Sequence, residues 1–335
     1  MRFLITGGAG FVGSHLTDAL LKRGDEVTIL DVASDLKVRH QLANPRFRYV
    51  RDSVLNSQIL EGLISRCDVV YHLAAVVGVD HYVGDPYQVL NVNVNGTQNV
   101  LTAAFKARKK VVFSSTSEVY GKSPAVPFTE DGERVLGSTK IDRWCYSTSK
   151  AVGEHFCFAF EKLGLPIVVI RYFNVYGPRL DRADAGRVMA IFLGQLMRGA
   201  PLTVIGDGKQ TRCFTYVDDA IRATVAAGLK EEAVGQIINI GSDEEVSINE
   251  LAEKMIRLSG LPSSVVYIPE AEAYGAGYED IRRRAPDIAR MREILGVSPR
   301  FTLEEGLKRT IDWFSMEGAK PEWLGQRARG GEPMA

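Results

Sequence analysis

The sequence predicts a doubly wound parallel α/β sheet with a smaller, interleaved C-terminal lobe. Three observations predict it. Short apolar runs alternate with longer helical patterns through the first half of the 335 residues, as βαβ units require. A glycine-rich turn, TGGAGFVG, lies between the first apolar run and the first helical pattern. Right-handed crossovers then wind such units into one parallel sheet.

The first strand is RFLIT, 2–6. In the turn after it, Gly8, Gly10 and Gly13 fit GxGxxG, and Gly7, Gly10 and Gly13 fit GxxGxxG. Glycines let the backbone approach a pyrophosphate, and the helix that follows, 13–23, offers unpaired N–H groups and a positive dipole end. Strand 26–30 leads into Asp31, placed to accept from adenosine ribose hydroxyls. Val32, Ala33 and Ser34 follow, with no arginine for a 2′-phosphate, so NAD is expected over NADP. Strand 47–50 carries Asp52 toward the adenine. Strands 69–73, 110–114 and 167–171 and helices 86–107 and 146–163 complete the pattern.

After Arg171 the texture changes. Segments 177–187 and 204–212 read as polar, Gly-rich loops. Strand 237–240, helix 248–259, a short strand near Val265, a basic loop at 280–284 and helices 286–295 and 303–314 follow. The expected division is a dinucleotide-binding domain, 1–175, with 213–241 returning to its sheet. The second lobe comprises 176–212 and 242–318. The tail 319–335, rich in Gly, Pro and charge, reads as flexible.

Composition narrows the partners. Lys+Arg and Asp+Glu balance at 41 each, so no global field draws the chain to nucleic acid or an anionic membrane. The opening MRFLITGGAGF runs directly into the glycine turn and reads as structure, not a leader. Cys67, Cys145, Cys157 and Cys213 have neither CxxC nor framework spacing, which fits reduced thiols and a cytoplasmic location. His15, His40, His72, His81 and His155 lack metal-ligand spacing, and no metal is assigned.

The chemistry is expected at Tyr146 and Lys150, four apart on one helix face. A lysine ammonium beside a phenol favours the phenolate, and a phenolate can take a proton from a substrate hydroxyl. The stretch FSSTSEVYG, 113–121, ends a strand in Ser114, Ser115, Thr116, Ser117 and Glu118.

The glycine turn, Asp31, HLAA (72–75), NVNGT (93–97), SSTSEVYG, YSTSK and RYFNVYGPR resemble, in this order, the extended short-chain dehydrogenases/reductases. Within these, the chain resembles the nucleotide-sugar-modifying enzymes, over residues 1 to about 315. The resemblance implies a Rossmann fold and NAD contacts from Gly7, Gly10, Phe11, Val12, Gly13, Asp31, Asp52, Ser53, Leu73, Ala74, Ala75, Asn93, Ser114, Tyr146, Lys150 and Tyr172. It implies that Thr116 bonds the sugar 4-OH and that Ser117 and Glu118 act beside it. Ser-Glu after Thr116 resembles the UDP-glucuronate decarboxylases; 4,6-dehydratases carry Asp-Glu there, and epimerases lack the acid. AGYEDIRRRAPDI, 276–288, is similar to the segment that brings an arginine, here Arg284, to a hexuronate. Tyr82, Asn174, Arg179 and Arg212 are the remaining implied substrate contacts. Val76-Val77-Gly78-Val79 departs from the small and proline-containing segment usual in UDP-xylose synthases.

The expected activity is therefore decarboxylation of UDP-glucuronate through a 4-keto sugar, giving UDP-xylose or the UDP-4-keto-pentose. A 4-epimerase or a 4,6-dehydratase is the alternative activity, and a non-catalytic dinucleotide-binding protein the alternative class. A homodimer is implied through the helices at 86–107 and 146–163.

Overall fold

Seven parallel strands form the central sheet of the computed structural model, which describes residues 1–180, 186–269, 272 and 281–318. In chain order, β1 (Arg2–Thr6), β2 (Glu26–Asp31), β3 (Phe47–Arg51), β4 (Val69–His72), β5 (Lys110–Thr116), β6 (Ile167–Tyr172) and β11 (Ile237–Ile240) lie in the order β3-β2-β1-β4-β5-β6-β11. The order reverses between β1 and β4, so a crevice opens above their carboxyl ends.

The period-two alternation of each strand divides the core. Phe3 and Ile5 face one side, with Leu16 and Leu20 of α1 (Phe11–Lys22). Leu4 faces the other, with Val70, Val111 and Val169. There it meets α2 (Ser57–Ile64), α5 (Gly96–Ala107) and α6 (Arg143–Glu161) through Leu60, Leu101 and Cys157. Burying each Leu, Val or Phe contributes roughly 1.5–3 kcal/mol. The first face also gathers α7 (Val188–Met197), α8 (Val217–Leu229), α9 (Ile248–Ser259) and α11 (Leu303–Trp313), through Phe192, Ile221, Leu251 and Leu307.

Three small sheets surround the crevice. β7 (Val175–Tyr176) pairs with β10 (Thr215–Tyr216), and β8 (Leu202–Ile205) with β13 (Val265–Ile268). β9 (Thr211–Cys213) lies between β12 (Glu245–Ser247) and β14 (Arg283–Arg284). The segments expected as loops at 204–212 and 280–284 thus supply strand residues. Their polarity is explained by function: Arg212 and Arg284 are register partners that point into the cavity described below.

Two expected helices change shape. The run 86–107 divides into α4 (Pro86–Leu90), a wide turn at Asn91–Asn95, and α5. Asn93 is the cause: its side chain leaves the helix surface to clamp the Val76 backbone, accepting from its N–H at 2.8 Å and donating to its carbonyl at 3.2 Å. Helix α6 starts three residues before the expected 146, which puts Arg143 on it. Helices α2, α7 and α8, the short α3 (Val79–Gly84), and strands β7, β8 and β10 were not expected. α10 (Ala289–Glu293) and α11 fall within the expected 286–295 and 303–314. The segment 319–335 and residues 276–280 lie outside the described residues.

Candidate active site

A cavity of about 610 Å³ runs over the carboxyl ends of β1, β4 and β5, a size suited to a small-molecule ligand. One end is built from the glycine turn. Gly7 has φ +75°, and a Cβ there would lie 2.6 Å from the Ala74 nitrogen. A Cβ on Gly13 would lie 2.2 Å from the Gly7 carbonyl oxygen. Only glycine lets α1 begin this close to the strand ends. Gly10 caps α1 in extended backbone without a side-chain cap, and Phe11 and Val12 line the cavity. First-turn N–H groups have no intrahelical acceptor, so this end presents donors to an anion.

Asp31 lines the same end; its carboxylate accepts from the N–H groups of Ala9 and Ala33, both at 2.9 Å. Asp52 and Ser53, Leu73, Ala74 and Ala75, Ser114 and Tyr172 continue the lining. NAD fits this donor and acceptor set: amides for the pyrophosphate, a carboxylate for the ribose.

At the other end, α6 delivers Tyr146 and Lys150 from successive turns. Both are buried. Burial pushes the Tyr146 phenol up to about 12, with the Glu118 charge adding; Arg187 and a hydrogen bond with Thr116 oppose it. The Lys150 ammonium donates to the Ser114 carbonyl at 2.8 Å, and burial lowers it to about 8. The expected lowering of the phenol by Lys150 is therefore corrected: within the protein, the cation acting on Tyr146 is Arg187. Tyr82 stacks on Tyr146, ring centroids 6.0 Å apart.

Beyond Tyr146 the cavity becomes charged. β5 ends at Thr116, and the chain tightens into a turn at Ser117–Tyr120, with the Glu118 N–H donating to the Thr116 hydroxyl at 3.2 Å. One Glu118 oxygen meets Arg284 of β14 at 2.5 Å; the other meets Arg143 of α6 at 3.5 Å. Burial acts to raise this carboxyl, but the fields of Arg284, Arg143 and Arg212 outweigh it and hold it at about 2. Glu118 is thus ionised at every physiological pH. In this state Glu118 acts by position and charge, as a fixed counter-ion to the guanidiniums.

Ser117, Thr116, Asn174 and Arg212 also line this end. The Asn174 amide donates to the Cys213 carbonyl at 2.8 Å. Two expected contacts stand apart from the lining. Arg179 is committed to α1, donating to Asp18 at 2.8 Å and to the Lys37 carbonyl at 3.0 Å. Asn93 lies behind the wall, holding Val76 and the Ser149 hydroxyl. Sequence reasoning missed Arg143 and Arg187. The spacing held a signal for Arg143, three residues before Tyr146 and so on its face; nothing comparable marked Arg187.

Comparison with known proteins agrees with this geometry. Residues 3–241 match the NAD dependent epimerase/dehydratase family. A UDP-N-acetyl-alpha-D-glucosaminuronate decarboxylase of Bacillus cytotoxicus is 43% identical over 314 residues, covering 93% of this chain and 97% of the relative. UDP-glucuronic acid decarboxylase 1 of Danio rerio is 38% identical over 320 residues, covering 94% of this chain and 73% of the relative. The crystal structure of UDP-glucuronic acid 4-epimerase from Bacillus cereus, in complex with UDP-glucuronic acid and NAD, has a TM-score of 0.83 and 34% identity. It covers 93% of this chain and 98% of that one. From its glycine turn to its Tyr146–Lys150 pair, the chain belongs to the NAD dependent epimerase/dehydratase family.

Proposed function

We propose that the protein is an NAD-dependent decarboxylase of a UDP-uronic acid, acting through a 4-keto sugar. One observation carries the proposal: an ionised Glu118 bridges Arg284 and Arg143 in the cavity that holds Tyr146. Three guanidiniums act on one carboxylate there. The surplus positive charge suits a substrate with a carboxylate and a diphosphate. A 4,6-dehydratase would carry a carboxyl where Ser117 stands, and a serine hydroxyl is a poor proton donor in its place. The decarboxylase relatives support the same reading.

Bound NAD supplies the hydride acceptor. Tyr146 takes the proton of the sugar 4-OH as a phenolate, a form that the positive charge of a bound nicotinamide would favour against the burial of the phenol, with the Thr116 hydroxyl aligning that oxygen. The new carbonyl stands β to the carboxylate, so carbon dioxide can leave with its electron pair passing to an enolate. The Thr116 and Tyr146 hydroxyls stabilise the enolate oxygen. Arg284 and Arg143 hold the carboxylate beforehand, and Glu118 fixes both guanidiniums. Arg212, beside Arg284 in the ladder, serves the diphosphate.

The substrate is UDP-glucuronic acid or its 2-acetamido form. The test incubates the protein with NAD and each of the two, reading carbon dioxide and the product by mass spectrometry. Carbon dioxide from either supports the proposal. An epimerised uronate without carbon dioxide overturns it in favour of a 4-epimerase.

The same reading includes a homodimer formed through α5 and α6. Phe105 is 39% exposed and lies against Phe160, their rings tilted with centroids 5.7 Å apart, and Tyr87 is 75% exposed. Light scattering at micromolar concentration should give twice the chain mass. A cytoplasmic site of action belongs to the reading too, supported by four unpaired cysteines.

A further inference from the structure

We infer that the buried Glu154–Arg171 ion pair is a positioning device that sets the two ends of the active site against each other. It rests on the role given to Tyr146 above. Glu154 lies on α6, one turn beyond Lys150 and two beyond Tyr146. Arg171 of β6 grips its carboxylate with two bonds, at 2.8 and 2.7 Å. The hydroxyl of Ser115, the residue before Thr116, donates to the same carboxylate at 2.5 Å. One carboxylate thus joins the helix that carries the base to the strand that carries Thr116.

The guanidinium extends the linkage to the charged end. Its remaining arm donates to the Glu130 carbonyl at 2.9 Å, and its plane covers the Tyr120 ring at 4.8 Å. Tyr120 closes the turn that holds Glu118, and its hydroxyl donates to Asn239 at 2.7 Å. The Asn239 amide donates to the carbonyls of Phe128 and Asp287, at 2.9 and 3.1 Å. Phe128 in turn donates to the Ala285 carbonyl at 2.8 Å and accepts from the Asp287 N–H at 2.9 Å. Arg284 directly precedes Ala285. The pair therefore links, by unbroken short contacts, the backbones that carry Tyr146, Thr116, Glu118 and Arg284. A buried pair is weak support for stability, because desolvation offsets attraction.

The test replaces both members at once, Glu154→Met with Arg171→Met, so that no lone charge stays buried. Folding is checked by circular dichroism and a cooperative melt. NAD and sugar-nucleotide affinities and single-turnover NADH formation are then measured. The expected result is NADH formation slower by about 10- to 100-fold, with both affinities within about twofold of wild type. A folded double variant with the wild-type rate overturns the inference. Should the double variant fail to fold, Ser115→Ala decides. It removes one hydrogen bond and should slow NADH formation about threefold at unchanged affinity, and a wild-type rate overturns the inference. If wild type makes no NADH with either sugar nucleotide, the functional reading fails separately. The pair is then judged on the NMR resonance of ring-labelled Tyr146, assigned by its loss in Tyr146→Phe. A shift in the double variant supports positioning, and an unmoved resonance overturns it.

Discussion

The two ends of the cavity beyond the nucleotide solve opposite electrostatic problems. At the Tyr146–Lys150 end burial dominates: it takes the phenol up to about 12 and the ammonium down to about 8, each toward its neutral form. The Glu118 end is half-buried and dense in guanidinium, and its carboxyl is held at about 2, in its charged form. The difference teaches how a single site can host two steps. Proton and hydride removal gain from a low-dielectric pocket, where small movements of charge matter. Holding a carboxylate until it leaves needs fixed cations with their own counter-ion.

The comparison breaks most easily at Tyr146. Tyr146→Phe keeps the ring stacked on Tyr82 but removes the base. NADH formation and carbon dioxide release should both fall by about a thousandfold, measured in one turnover. A variant that still made NADH at an appreciable rate would move the base elsewhere.

Glu118→Gln tests the charged end. Carbon dioxide release should slow by about tenfold, since the guanidiniums lose the counter-ion that fixes them. NADH formation should slow less. The same variant carries a pH signature. The folded carboxyl lies below its ordinary 4.5, so its ion pairs stabilise the fold fully above about 4.5 and lose that contribution as pH falls toward about 2. Denaturation of wild type and Glu118→Gln should therefore converge in acid. A constant gap from pH 7 to pH 3 would contradict the pairing.

Lys150 is tested through stability, with the same direction of pH dependence but the opposite cause, because here burial penalises the charged form. Its folded value of about 8 is below the ordinary 10.5, so between these values the unfolded chain binds more protons. Wild type should gain a few kcal/mol relative to Lys150→Met as pH rises through that window. A flat difference would show that the ammonium is not desolvated.

The two ends also differ in how readily the sequence discloses them. The glycine turn, Asp31, Tyr146 and Lys150 sit at strand ends and on one helix face, so spacing places them, and the family resemblance adds Thr116 at the end of its strand. The main sheet is legible because most of its strands are short continuous apolar runs, buried on both faces. The charged end draws Glu118, Arg143, Arg212 and Arg284 from four distant segments. Two of these come from strands of two and three residues whose composition reads as loop. Their pairing is set by tertiary contacts that no local pattern encodes. Arg179 shows the reverse error: it follows a motif that points to substrate, yet its left-handed backbone (φ +62°) turns it onto Asp18 of α1. Helix α7 was missed because VMAIFLGQLM is apolar nearly all round and gives no amphipathic period.

The division of labour between the two ends is tested most directly by Arg284→Ala in a single turnover with the accepted UDP-uronate. NADH absorbance and carbon dioxide are followed separately. Losing the charge-assisted grip on the carboxylate should slow carbon dioxide release by about one to two decades, while NADH formation stays within about threefold of wild type. Equal slowing of both signals, or wild-type release of carbon dioxide, would contradict the account.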